Sequence, residues 1–224
     1  MLLKYLILID LGAYLGIYDI IISMTKNWYW YAGITAVIVY IFAVIVGGMM
    51  YPNYSHVSMD VSQLTSTNTP IKGFMNIFCI YNLLVALFGV GLYKLSKKKL
   101  AQCASIFIIL IGLFGFVITW FPINTRGTEL TYIGRIHIVI VSIISLLTVL
   151  SGFFFWFAYK KTNLHLFAKI SLCAGLLFTF SGPIAAVNVM SSYAGLYERI
   201  PISTFLIWIL LTSVLMIKVP NTSN

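Results

Sequence analysis

Long uncharged runs of apolar residues, separated by short polar or charged intervals, organise most of the chain. They cover residues 30–50, 74–93, 100–121, 136–159, 170–190 and 203–217. A helix needs about 20 predominantly apolar residues to cross the hydrocarbon core of a bilayer. Every run except the last has that length. The last reaches it if Ile200 and Pro201 open the helix, since proline's missing N–H is tolerated in a first turn. The pattern predicts an all-α, polytopic transmembrane helix bundle forming one domain over residues 1–224.

A further run, residues 2–24, is apolar but carries Lys4, Asp10 and Asp19. An Asp at a helix centre costs about 2.5–3.5 kcal/mol on insertion scales. The surrounding apolar residues can offset that, and Gly12 and Gly16 form a GxxxG pair that allows close helix approach. The segment has no clear small-x-small cleavage site, so it does not read as a cleaved signal peptide. The expectation is an extra N-terminal helix over residues 1–25 that makes a seventh span. The alternative is an interfacial helix beside six spans. Asp10 falls near mid-membrane, where an ionisable group is a functional candidate by default.

Composition supports the membrane assignment. Apolar residues make up 61% and charged residues 8%, with a mean hydropathy of +1.00. A soluble domain has roughly 45–50% apolar and about 25% charged residues. So few charges cannot coat one, which excludes a soluble enzyme and the disordered, collagen-like and disulfide-rich classes. Cys79, Cys103 and Cys173 all fall inside predicted spans, so no disulfide framework is implied.

The net charge of +9 is distributed by side. Lys94, Lys97, Lys98, Lys99, Lys160, Lys161, Lys169 and Lys218 flank one set of loops, and those loops contain no acid. The positive-inside rule puts that face, and the C-terminus, in the cytoplasm. The expected location is the plasma (inner) membrane. No nucleic-acid motif accompanies the lysines, so their natural partner is anionic lipid.

Most of the remaining chemistry lies on the opposite, exoplasmic side. Its long loop, residues 51–73, is rich in Ser, Thr, Asn and Pro, which favour turns. His56 and Asp60 are four apart, so one helical turn would bring them together. Later loops add Arg126, Glu129, Arg135 and His137, then Glu198 and Arg199. His137, Arg135, His56 and Asp60 are the candidates for acid–base chemistry, because histidine titrates near neutrality. Arg126, Glu129, Arg135, Asn188, Glu198 and Arg199 are the candidates for substrate binding, because arginine offers a planar two-pronged donor to phosphate or carboxylate. His56-x-x-x-Asp60 is too sparse for a metal site, and none is expected. No cofactor motif is present. Ser181-Gly182-Pro183 interrupts the fifth run and marks a potential helix break of the kind that lines transporter sites.

The run Tyr51-Pro52-Asn53-Tyr54-Ser55-His56, followed by Ser62-Gln63-Leu64 and Pro70, resembles the first loop of the family called domain of unknown function 998. Gly134-Arg135-Ile136-His137, Gly195-Leu196-Tyr197-Glu198-Arg199 and Trp208 are similar to its later landmarks. The resemblance implies a small prokaryotic multi-span membrane protein and leaves the first 25 residues as an addition. Gln63 and Thr65 depart from the pattern, standing where it carries an acid and a glycine.

Three functions fit these residues. The chain could bind or process a lipid or amphiphilic substrate at the exoplasmic polar cluster. It could be a small proton-linked transporter using Asp10 and the Pro183 break. It could also be an accessory or assembly subunit whose membrane partner docks at Gly12 and Gly16.

Overall fold

The computed structural model describes residues 28–218. Asp10, Gly12, Gly16 and the seventh span therefore lie outside the described residues. Among the described residues, six helices are long and apolar enough to cross a membrane: α1 (Trp28–Met50), α2 (Lys72–Leu95), α3 (Lys99–Trp120), α4 (Tyr132–Tyr159), α5 (His165–Val187) and α6 (Ala194–Lys218). Asn76 makes a one-residue break early in α2, and a 3-10 turn, Ile118–Trp120, ends α3. Within lipid a helix satisfies its own backbone groups, so apolar runs of this length take that form.

Successive helices pack as neighbours, α2 on α3, α3 on α4, α4 on α5 and α5 on α6. Glycines permit the closest approaches. A Cβ at Gly112 would lie 2.6 Å from the Asn82 carbonyl oxygen, and one at Gly152 would lie 2.8 Å from the Ser171 carbonyl oxygen. Small residues perform this role in membranes because lipid removes the hydrophobic drive between helices. Asn82 strengthens the α2–α3 seam by donating from Nδ2 to the Gly115 carbonyl at 2.7 Å.

The ring is closed by α1, which contacts α2 through Trp30–Phe88 and Tyr40–Tyr81. Its Gly33 lies against Phe88 of α2 and against Ile209 and Ser213 of α6. Trp208 occupies the middle, with the rings of Phe88, Phe155, Phe167 and Phe205 around it. Its indole Nε1 donates to Ser171 Oγ at 3.0 Å, which satisfies the polar atom of a buried ring.

Several helices start earlier than the uncharged runs suggest. α4 begins at Tyr132, α5 at His165 and α6 at Ala194, so Arg135, Lys169, Glu198 and Arg199 are helical. Pro201 consequently lies inside α6 rather than opening it. Pro183 does not break α5, which runs unbroken from His165 to Val187. Hydroxyls there bond back along the helix, Thr179 to Gly175 O at 2.7 Å and Ser181 to Leu177 O at 2.7 Å.

The two ends of the bundle differ. At one, Lys98 Nζ donates to the Ala158 carbonyl at 2.7 Å, and the exposed Lys97, Lys99, Lys160 and Lys161 surround the helix ends. At the other, the loops after α1, α3 and α5 are hydrogen-bonded to one another. Thr67 donates to Ile123 O at 3.0 Å, Leu196 donates to Val57 O at 3.2 Å, and Arg126 bridges both junctions.

Candidate functional site

The first long loop is folded by local rules before it meets the others. Pro52 and Asn53 reverse the chain after α1, and Tyr54 N donates to Tyr51 O at 3.2 Å. Asn53 takes a φ of 60°, the left-handed conformation that asparagine tolerates better than most residues. Met59 N then donates to Ser55 O at 2.8 Å, a single turn over residues 55–59, and Asp60 after it is extended. Val61–Thr65 form a 3-10 helix. Below it Val61, Leu64 and Ile71 pack with Ala43, Met75 and Phe78 in a small core on α1 and α2.

Two charged residues of α6 hold this loop. Glu198 accepts the main-chain N–H groups of Val61 and Ser62, the first unpaired donors of the 3-10 helix. Asp60, at the cap position of that helix, makes no side-chain cap bond itself. Arg199 donates from Nη1 to Met59 O at 3.1 Å and Gly195 O at 2.8 Å. From Nη2 it donates to the Tyr54 hydroxyl at 2.9 Å and to His56 Nδ1 at 3.1 Å. A guanidinium only donates, so His56 Nδ1 accepts and the proton of the neutral ring sits on Nε2. The Nε2 edge faces Gly48 of α1, where a Cβ would lie 2.6 Å away.

Arg126, from the loop after α3, ties the three loops together. Its Nη1 donates to Ser58 O at 2.5 Å and its Nη2 to Ser191 O at 2.9 Å. Gln63 secures the Arg126 backbone, accepting its N–H at 2.9 Å and donating from Nε2 to Asn124 O at 3.3 Å. An amide both donates and accepts, whereas an ionised acid only accepts. The departure at Gln63 therefore has a structural use.

The electrostatics follow from this packing. Burial pushes the Tyr54 phenol up to about 12 although Arg199 beside it acts in the opposite direction. Burial and Arg199 together hold the His56 imidazole below its ordinary value, which favours the neutral ring. Burial raises the Asp60 carboxyl, with Arg126 and Arg199 pulling it down. An imidazole held below its ordinary value and a carboxyl held above its own thus share this end with the cations of Arg126 and Arg199. That arrangement offers hydrogen-bonding groups to a polar group arriving at this end of the bundle.

Not every predicted site residue belongs here. Arg135 and Glu129 are exposed beside the cluster. His137 is buried at the top of α4 and donates from Nδ1 to the Phe121 carbonyl at 2.7 Å, an anchor for the end of α3. Asn188 caps α5 and donates to Ile184 O at 2.8 Å. Among the described residues, no three His, Cys, Asp or Glu side chains gather where they could hold a metal. The sequence alone does not show the contacts made by Tyr54, Gln63 and Gly195, although all three fall in the family-like runs, and nothing in it singles out Gly48. Gly195 was the most accessible of them, because a glycine three residues before a charged pair in a helix is unusual without a close contact. Here a Cβ would meet Met59 O, with His56 O 2.7 Å away.

No curated protein and no solved structure matches the chain. A family model described as "Protein of unknown function (DUF998)" matches residues 34–215. Because that match reaches from the first helix to the last and takes in all of the loops that build the cluster, the chain belongs to the DUF998 family.

Proposed function

We propose that this protein binds the polar head of a lipid or similar amphiphile at the loop-rich end of the bundle, with that end exoplasmic and the lysine-rich end and C-terminus cytoplasmic. The observation that carries the reading is the convergence of three loops on Arg126 and Arg199, which leaves His56 exposed and Asp60 half-buried at the rim. Trp120, Tyr132 and Tyr193, near the same boundary, are exposed, and tryptophan and tyrosine are the ring types that settle at the head-group level. A ligand with an acyl tail in lipid and a charged head would meet both surfaces at once. Exposed Arg135, on the first turn of α4, adds a cation for an anionic head.

Native mass spectrometry of the detergent-purified protein tests this. The wild type should retain a lipid adduct that Arg126→Gln and Arg135→Gln weaken severalfold, with α-helical content unchanged. A wild type that never carries lipid, or variants that carry it equally, would refute the reading.

A further inference from the structure

Two of the loops at the lysine-rich end are bonded to each other. Lys98 Nζ, just before α3, donates to the Ala158 carbonyl at the end of α4 at 2.7 Å. The Tyr159 hydroxyl donates to Ser96 Oγ at 3.1 Å, and both residues are buried. Gln102 Nε2 holds the same turn by donating to Ser96 O at 3.0 Å. Lys97 follows Ser96, and Lys160 and Lys161 follow Tyr159, so both sets of lysines flank one pair of bonds. Lys160 Nζ lies 4.5 Å from the ring centre of Trp156 and 4.9 Å from that of Phe157, which keeps its ammonium at the helix end. Lys97, Lys98, Lys99, Lys160 and Lys161 are all exposed. The acids among the described residues, Asp60, Glu129 and Glu198, are all at the other end. Ammonium groups crowded on two bonded loops repel one another unless an anion lies among them.

We propose that this junction binds a lipid head bearing two phosphates on one short linker, as in cardiolipin. Lys97 and Lys99 meet one phosphate, Lys160 and Lys161 meet the other, and Lys98 keeps the two loops in register. Exposed Phe157 and Leu100, on the last turn of α4 and the first turn of α3, offer apolar surface to the acyl chains beside the head. A soluble diphosphate would use the lysines but gain nothing from those two side chains. A diffuse basic face attracts any anionic lipid by charge alone. Two loops fixed against each other favour a head that engages both, because the second contact forms at high effective concentration. The junction shares no residue with the site proposed above, so either can fail alone.

Native mass spectrometry and thermal unfolding of the full chain in detergent test this. The added lipids are cardiolipin and, at twice the molar amount so that phosphate is equal, phosphatidylglycerol. Cardiolipin should be retained severalfold better and raise Tm further on the wild type, a comparison that needs no variant. Lys97→Gln combined with Lys161→Gln should bring cardiolipin down to the phosphatidylglycerol level. Removing the same charge through Lys94→Gln and Lys218→Gln should leave the preference intact, because Lys94 donates to Tyr29 Oη of α1 at 2.6 Å and Lys218 ends α6. Equal retention of the two lipids would overturn the two-phosphate assignment. Equal loss in both double variants would overturn the site in favour of a diffuse field. A preference abolished by inorganic pyrophosphate at the same phosphate concentration would assign the lysines to a soluble anion and overturn the lipid.

Discussion

His56 and Asp60 depart from their ordinary ranges in opposite senses, and each departure gives the docked loop a dependence on pH. The His56 imidazole lies below its usual 6.5, chiefly through burial and then through Arg199. It therefore binds a proton more tightly when the loop is undocked, and docking weakens as pH falls below about 6.5. Asp60 lies above its usual 3.8, so it binds its proton more tightly when docked and favours docking as the solution becomes more acidic. The histidine effect comes first on acidification from neutrality. The hydrogen-exchange protection factor of Val61 N, which donates to Glu198 of α6, should fall between about pH 7 and 5.5. His56→Asn keeps an acceptor for Arg199 but cannot titrate, so its protection factor should stay flat over that interval. An equal slope in the variant would remove His56 as the cause. Steric fit governs the neighbouring Gly195, where a Cβ would press on Met59 O and lie 2.7 Å from Arg199 Nη1. Overpacking of this kind costs roughly 1–3 kcal/mol. Gly195→Ala should lower Tm and make the 54–62 loop protease-sensitive, an effect absent if the loop is not seated on α6.

At the level of helices, the seams depend on glycines whose neighbours are backbone rather than flexible side chains. A Cβ at Gly112 would lie 2.6 Å from Asn82 O and 2.9 Å from Ala86 Cα, whereas one at Gly182 would approach nothing nearer than Phe178 at 3.8 Å. Gly112→Leu should therefore abolish recovery of folded protein in detergent while Gly182→Leu is recovered near wild-type yield. Similar yields for both would show that α2 and α3 do not cross as closely as this. The six spans were legible because hydropathy reports lipid exposure over about 20 residues at a time. Their ends were not, because a charge was taken as a boundary, yet Glu198 and Arg199 lie in α6 with main-chain partners from another loop. The cluster was legible in part. His56, Asp60, Arg126, Glu198 and Arg199 were recognisable as displaced charges, but Tyr54 and Gln63 look like ordinary loop residues until the partner 145 or 63 positions away is known. His137 drew attention as a titratable group although its bond to Phe121 O makes it an anchor. No single-chain pattern distinguishes those two roles.

Across the whole molecule, the bundle is asymmetric in how its ends are fastened. The lysine-rich end has short loops, cross-linked by contacts such as the Ser96 hydroxyl that accepts from Tyr159 Oη at 3.1 Å. The loop-rich end joins three hairpins through a few long-range polar contacts, of which Arg126 makes two. It reaches Ser58 O and Ser191 O at once and so spans loops that no helix connects directly. Hydrogen bonds from charged groups contribute about 1.5–3 kcal/mol each, and truncation would also leave two carbonyls without their donor. Exposed Arg135 has the same charge and sits on the same end, but among the described residues its side chain makes no hydrogen bond. Charge alone would make the two arginines equivalent, whereas fastening would separate them. Arg126→Ala should lower Tm by several degrees and speed exchange in the 51–66 and 188–196 segments together. Arg135→Ala should leave both unchanged. A drop confined to one segment, or an equal drop for both arginines, would mean that the end is held by its net field rather than by this one side chain.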